Sequence, residues 1–229
     1  NYPEQQFALI DAVCEGEQPE NVTSLLFEDN ASAYLTGLIA GRMTETNKVG
    51  FIGGMESPVI SKFDYGFRAG VKAANPDAEV MVQYANSFTD SALGKTIANQ
   101  MHSKNADIIF TCAGAVGIGA IEAAKENGKK AIGVDQDQNS LAPENVITSA
   151  MKNIDVSVEE MLSKVVDGSY KGGEVIINTL AMNGVGIPQS SEKNVPPDVL
   201  TYVKEEAEKV KSGEVKVPAT KEEFEQLNK

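Results

Sequence analysis

The chain is poor in the side chains that perform covalent and metal chemistry. Histidine occurs once, as His102, and cysteine twice, as Cys14 and Cys112. His102 falls on a helical stretch with no Cys, Asp or second His at metal-ligand spacing, so a surface position is expected and a zinc site is not. Both cysteines lie in or just after apolar, strand-like runs, where buried free thiols are expected. GxSxG elbows, Walker loops and zinc signatures do not occur. No apolar run reaches the roughly 20 residues of a membrane-spanning helix, because Gly or charge interrupts each candidate. Cations are scarce as well: 20 Lys and Arg face 33 Asp and Glu, a formal charge of −13. Phosphate backbones need clustered Lys and Arg, so nucleic acid is excluded as a partner. No signal peptide or lipid-attachment cysteine precedes the first strand. That leaves a cytoplasmic protein, or one whose front end has been removed.

What the sequence does contain is the material of a core. Apolar residues make up 41%, and short β-branched runs alternate with amphipathic segments, the rhythm of βαβ units around a mostly parallel sheet. Strands are expected at 7–13, 22–27, 48–52, 79–84, 108–112, 130–134, 146–150 and 174–180. Helices are expected at 32–43, 60–74, 91–103, 117–127, 156–166 and 197–211, several closed by Gly128, Gly168 and Gly213. Leu35, Leu38, Ile39 and Met43 form one helical stripe, and Phe63, Phe67 and Val71 another, so these are read as core. Residues 196–229 mix charges of both signs and read as a solvated helical face with a loose end.

In an open parallel sheet the carboxyl ends of the strands converge on a crevice. Asp11, Glu28, Asp29, Gly53, Gly54, Gly114, Asp135 and Asp137 stand at such ends. Asp135 closes AIGVD, where a carboxylate can accept hydrogen bonds from vicinal sugar hydroxyls; a turn or helix cap explains it equally well. The spacing Asp135, Asp137, Asn139 opens like a calcium loop, but Ser140 and Val146 occupy the positions that require Gly and Glu. Gly114 to Gly119 reads GxxGxG and not GxGxxG, so no nicotinamide cofactor is implied. The run offers either a bare backbone to a ligand or close strand–helix packing at Gly117 and Gly119. Phe88 sits in the polar loop YANSFTD, where it could stack on a flat base or tuck beneath its own loop. Lys152 follows a strand and is the cation nearest the crevice; it could donate to a ligand hydroxyl, although a solvated Lys is commoner.

Taken in order, FALID (7–11), GFIGGMESP (50–58), FDYGFRAGV (63–71), AIGVD (131–135), TSAMK (148–152) and GEVKVP (213–218) resemble the basic membrane protein family, the purine nucleoside receptor A type lipoproteins that serve ABC transporters. The resemblance implies a type I periplasmic-binding-protein-like α/β fold, two doubly wound parallel-sheet lobes joined by three hinge segments. It would divide the chain into 1–47 with 146–168 and 48–145 with 169–229. By the same resemblance Asp11 contacts a base, Phe88 stacks on it, and Gly114, Asp135 and Lys152 bind ribose. A purine nucleoside such as adenosine, guanosine or inosine is then the ligand and a transporter permease the partner. The protein would be monomeric, cofactor-free, non-catalytic and, in full length, a lipid-anchored extracytoplasmic receptor. Family members carry a further N-terminal portion with the first βα units of one lobe, so the resemblance implies a truncated first lobe and a stacking site that buries less of its ligand. The rival ligand is a free sugar or other polar metabolite, the rival role an effector-sensing regulator on the same fold, and a nucleoside hydrolase ranks last for want of a nucleophile or metal cluster.

Overall fold

The structure, a computed structural model, describes residue 2 and residues 4–227. Two sheets organise it. Strands β1 (Phe7–Ile10), β2 (Val22–Phe27) and β8 (Val175–Asn178) form a small parallel sheet in the order β1-β2-β8. Strands β3 (Lys48–Gly53), β4 (Glu79–Tyr84), β5 (Ile108–Cys112), β6 (Lys130–Asp135), β7 (Val146–Lys152) and β9 (Val185–Gly186) form a second sheet in the order β4-β3-β5-β6-β7-β9, parallel except for the edge strand β9.

Helices lie on both faces of the larger sheet: α1 (Asp29–Met43), α2 (Pro58–Ala74) and α6 (Pro197–Lys211) on one, α3 (Ser91–Ser103) and α4 (Ala115–Glu126) on the other. The strand period of two explains the division. Phe51, Ile108 and Phe110 join the first cluster, while Ile52 and Ile109 join the second. Phe51, Phe67 and Phe110 meet with ring centroids 5.1 to 6.4 Å apart, so the aromatic stripe of α2 docks on the sheet centre. Pro58 at the first turn and Ser57, whose Oγ accepts from Ile60 N at 3.3 Å, start α2. Helix α1 is buried almost all round. Its polar Ser32 and Thr36 are satisfied by donating to Asp29 O and Ala33 O. It runs against α2 so closely that a β-carbon at Gly37 would meet the Phe67 carbonyl.

The chain passes between the sheets three times: β2 to α1, β7 to α5 (Ile154–Asp167), and β8 to β9. These crossings are laced together. Glu28 N donates to Asn178 O (3.1 Å) and its carboxylate accepts from Leu180 N (2.9 Å), while Asn153 N donates to Gly184 O (2.9 Å) and Asn153 Nδ2 to Asn183 O (2.7 Å).

The strand pairing differs from the expected division of the chain. Residues 146–152 pair with β6 in the large sheet, residues 29–43 pack on α2, and 175–178 pair with β2 in the small sheet. A short β-branched run fits either sheet, and only pairing chooses. The described part of the C-terminal stretch, residues 196–227, is also no loose end. Val199, Leu200, Val203, Ala207 and Val210 are buried, and Asn30 Nδ2 holds the Val217 carbonyl at 2.8 Å. A short helix α7 (Lys221–Gln226) opens on a Thr220–Glu223 capping box, and Phe224 lies under the Arg68 guanidinium at 4.4 Å. His102, expected at the surface, is buried. Its Nδ1 lies 2.9 Å from the Ala106 carbonyl, which can only accept, so Nδ1 carries the proton. Burial pushes its pKa down. Cys112 is buried, Cys14 half-buried, and both are free.

Candidate functional site

The order β4-β3-β5-β6-β7 is that of a doubly wound sheet whose connections change direction between β3 and β5, where a crevice opens at the carboxyl ends. Beside that point lies a cleft of about 610 Å³, lined among others by Gly114, Val134, Asp135, Gln138, Met151 and Lys152. The volume is that of a small-molecule site.

Asp135 ends β6 in a left-handed backbone conformation, φ 64°, directly beside Met151 of β7. Gln138 folds back behind it, its side-chain oxygen accepting from Val134 N at 3.0 Å and its own N–H donating to Ser149 Oγ at 3.1 Å. The carboxylate is turned to the crevice, yet the protein behind it raises its pKa by desolvation, which Lys152 only partly offsets. Asp11, the residue after β1, has φ 59°. Two carboxylates therefore stand at strand ends in a left-handed conformation that few residues besides Gly, Asn and Asp tolerate, one that Asn47, Asn86, Asn105 and Asn183 also adopt.

Lys152 is the last residue of β7 and not the solvated cation commonly found after a strand. Its side chain is 3% exposed and bridges the sheets, with Nζ 2.7 Å from Asp11 Oδ2 and 3.1 Å from Asp29 Oδ1. The Phe27 and Phe63 rings flank the ammonium at 5.2 and 5.7 Å. Burial alone would lower its pKa, but Asp29 and Asp11 outweigh burial and raise it, so it stays charged. Asp29, the first residue of α1, is fully buried; besides Lys152, Lys62 approaches it at 3.9 Å. Desolvation lifts its pKa to about 6 against these cations.

That shift has a measurable consequence. A carboxyl whose folded pKa exceeds its unfolded value adds stability that is complete below 3.8 and is lost as pH rises through about 6. At about 1.4 kcal/mol per unit the swing is ~3 kcal/mol. Urea titrations of the protein and of Asp29→Asn are expected to differ by an amount that changes across this window, while Asp64 and Asp135, also raised, cancel in the difference. A flat difference would show that Asp29 does not titrate there.

Phe88 lies outside the lining of that cleft but adjoins it through Gly114. Its carbonyl accepts from Ala115 N at 2.8 Å, and its ring lies over Gly54 at the end of β3. Gly114 has φ 56° and ψ −128°, a region essentially open to glycine alone, and forms the floor between Phe88 and the cleft. Gly117 and Gly119 serve packing: a β-carbon at Gly117 would approach Thr111 of β5, and one at Gly119 would strike the Ser91 carbonyl of α3. Asp137 Oδ1 caps Asn139 N at 3.0 Å, and Asn139 Nδ2 holds the carbonyls of Pro143 and Val146 at 3.1 and 2.9 Å, so that segment is a built turn.

Gly114, Asp135 and Lys152 thus share one cleft. Asp11 joins them through Lys152, and Phe88 through Gly114. Asp29 and Gly54 stood among the strand ends in the sequence, with nothing to separate them from other Asp and Gly residues there.

A family model for ABC transporter substrate-binding proteins of the PnrA-like type matches residues 1–221. The chain belongs to this family. It is 40% identical to a CD4+ T-cell-stimulating antigen of Listeria monocytogenes over 94% of this chain and 64% of that protein. It is 37% identical to the ABC transporter nucleoside-binding protein BmpA of Lactococcus lactis over 96% of this chain and 66% of that protein. The chain therefore spans just under two thirds of these curated relatives. A solved ABC transporter solute-binding protein from Aeropyrum pernix K1 superposes with a TM-score of 0.87 at 29% identity, covering 98% of this chain and 74% of that one. The fold is that of type I periplasmic binding proteins, and the family is one of solute binding.

Proposed function

We propose that this protein captures a purine nucleoside between its two sheets and hands it to the permease of an ABC transporter, without chemistry, cofactor or a second copy. The observation that carries this reading is the placing of Asp135 and Lys152 on one cleft whose Gly114 floor backs onto Phe88. Asp135 supplies two acceptors for the paired hydroxyls of a ribose, and Lys152 donates to a ribose oxygen. The bare Gly114 backbone lets the sugar approach, the Phe88 ring covers the base, and the part-exposed Asp11 carboxylate accepts from a base N–H. The three laced crossings act as the hinge, and ligand favours the closed arrangement because only there do both sheets contribute contacts. The nucleoside-binding relative supports the ligand class. On this reading the complete protein holds the site outside the cell on a lipid anchor.

Calorimetry of the full-length protein with adenosine, guanosine, inosine and ribose tests the reading; silence toward every nucleoside ends it. Phe88→Ala is expected to weaken nucleoside binding about tenfold or more, since base stacking is worth roughly 1–3 kcal/mol, while ribose binding barely changes. Equal losses for nucleoside and ribose would favour a site that reads hydroxyls alone.

A further inference from the structure

We infer that Gly54 is a positioning residue for the aromatic wall: the absence of a side chain at this position sets the plane of the Phe88 ring and so the fit of a flat base. The inference rests on the nucleoside reading above and names a residue that does not itself touch the ligand.

Glycine at 54 is not needed for the backbone, because its φ lies outside the left-handed region that six other glycines occupy. Its smallness has another cause. A β-carbon there would clash with the Phe88 ring, most severely at Cε1 and Cδ1, and would stand 2.8 Å from Cζ. Nor can the backbone retreat. Gly54 N donates to Cys112 O at 3.0 Å, Asn86 N donates to Gly54 O at 2.9 Å, and the preceding Gly53 O accepts from Ala85 N at 2.8 Å. Residue 54 is therefore held from β5 on one side and from the loop after β4 on the other.

The Phe88 main chain is held as firmly. Its carbonyl accepts from Ala115 N and would stand 2.8 Å from a β-carbon on Gly114. Ser87 Oγ accepts from Thr89 N and Asp90 N at 3.2 Å each, and Asp90 caps α3 by accepting from Leu93 N at 2.9 Å. With both backbones fixed, the one element free to yield to a methyl group at 54 is the Phe88 side chain, by rotation away from its present plane. The ring and Gly54 then form a single unit, and a loss at either should include the loss at the other.

The test is a double-mutant cycle on the full-length protein with Gly54→Ala, Phe88→Ala and both, read by inosine and ribose calorimetry. Gly54→Ala is expected to lower inosine affinity about tenfold, to leave ribose affinity within twofold, and to add nothing once Phe88 is alanine. Inosine affinity within twofold of the parent, or losses that multiply in the double variant, would overturn the inference. A second readout does not depend on ligand. In protein labelled with fluorophenylalanine, the resonance missing from Phe88→Leu is that of Phe88, and Gly54→Ala is expected to shift it. If the parent binds no nucleoside, the receptor reading fails and this resonance still decides the role of Gly54; an unmoved signal refutes it.

Discussion

Lys152→Met is expected to destabilise the protein by about 3–5 kcal/mol, read as a fall in the urea midpoint at unchanged slope. The ammonium is the nearest neutralising partner of Asp29, which is fully buried, and it also bonds Asp11 at 2.7 Å. Methionine keeps much of the side-chain volume between Phe27 and Phe63 but leaves two carboxylates facing each other across the junction of the sheets. An uncompensated buried charge dominates the loss, so removing that charge should return most of it. The double variant Lys152→Met, Asp29→Asn is expected to recover well over half, because a neutral group needs no counter-ion. The pH dependence supplies a second check. Asp29 can accept a proton near pH 6 in the parent, and more readily without Lys152, so the deficit of Lys152→Met should be smaller at pH 5 than at pH 8. An equal deficit at both values would assign the loss to packing and not to charge.

Asp135→Asn is expected to reduce affinity for both nucleoside and ribose by about 10- to 100-fold, since hydrogen bonds to a charged acceptor contribute roughly 1.5–3 kcal/mol. Asparagine is the informative replacement. The residue has φ 64°, which Asn adopts readily, whereas alanine would confound lost hydrogen bonds with backbone strain. The ionised carboxylate is disfavoured in the fold by desolvation, so the substitution should not lower the urea midpoint. Loss of ribose and nucleoside binding together, beside the selective loss from Phe88→Ala, separates the sugar-reading half of the cleft from the base-covering half. Retained ribose affinity in Asp135→Asn would remove the assigned role of this carboxylate.

Much of the secondary structure was legible because its signals are local. The stretch 108–112 and the helices 91–103 and 197–211 appear at their expected limits, each bounded by a capping or turn residue. The Phe63 and Phe67 stripe is core for the reason its spacing gives. Errors fall where a backbone leaves its regular path at a polar residue. Strand β1 stops at Ile10, short of the expected Val13, because Asp11 turns left-handed, and β7 runs on to Lys152 because β9 pairs with it. Helix α4 begins at Ala115, two residues before the expected Gly117, where Gly114 makes the turn.

Motif and resemblance nominated Asp11, Phe88, Gly114, Asp135 and Lys152. The partners that give these residues their properties were not legible, since Lys152 meets Asp29 and Phe88 meets Gly54 only through sheet pairing and loop closure. The charge-rich C-terminal stretch misled for a related reason: α6 buries one apolar face, and alternating charge describes only the other.

By itself the sequence determined the βαβ rhythm, the apolar strand interiors and the chemical types at the strand ends, because each depends on periodicity and local backbone preference. Tertiary structure alone decided which sheet each strand joins, that a lysine would be buried between two aspartates, and that a ring would rest on a bare glycine. Those outcomes depend on contacts between residues far apart in the chain, whose energies of burial and charge no local pattern records.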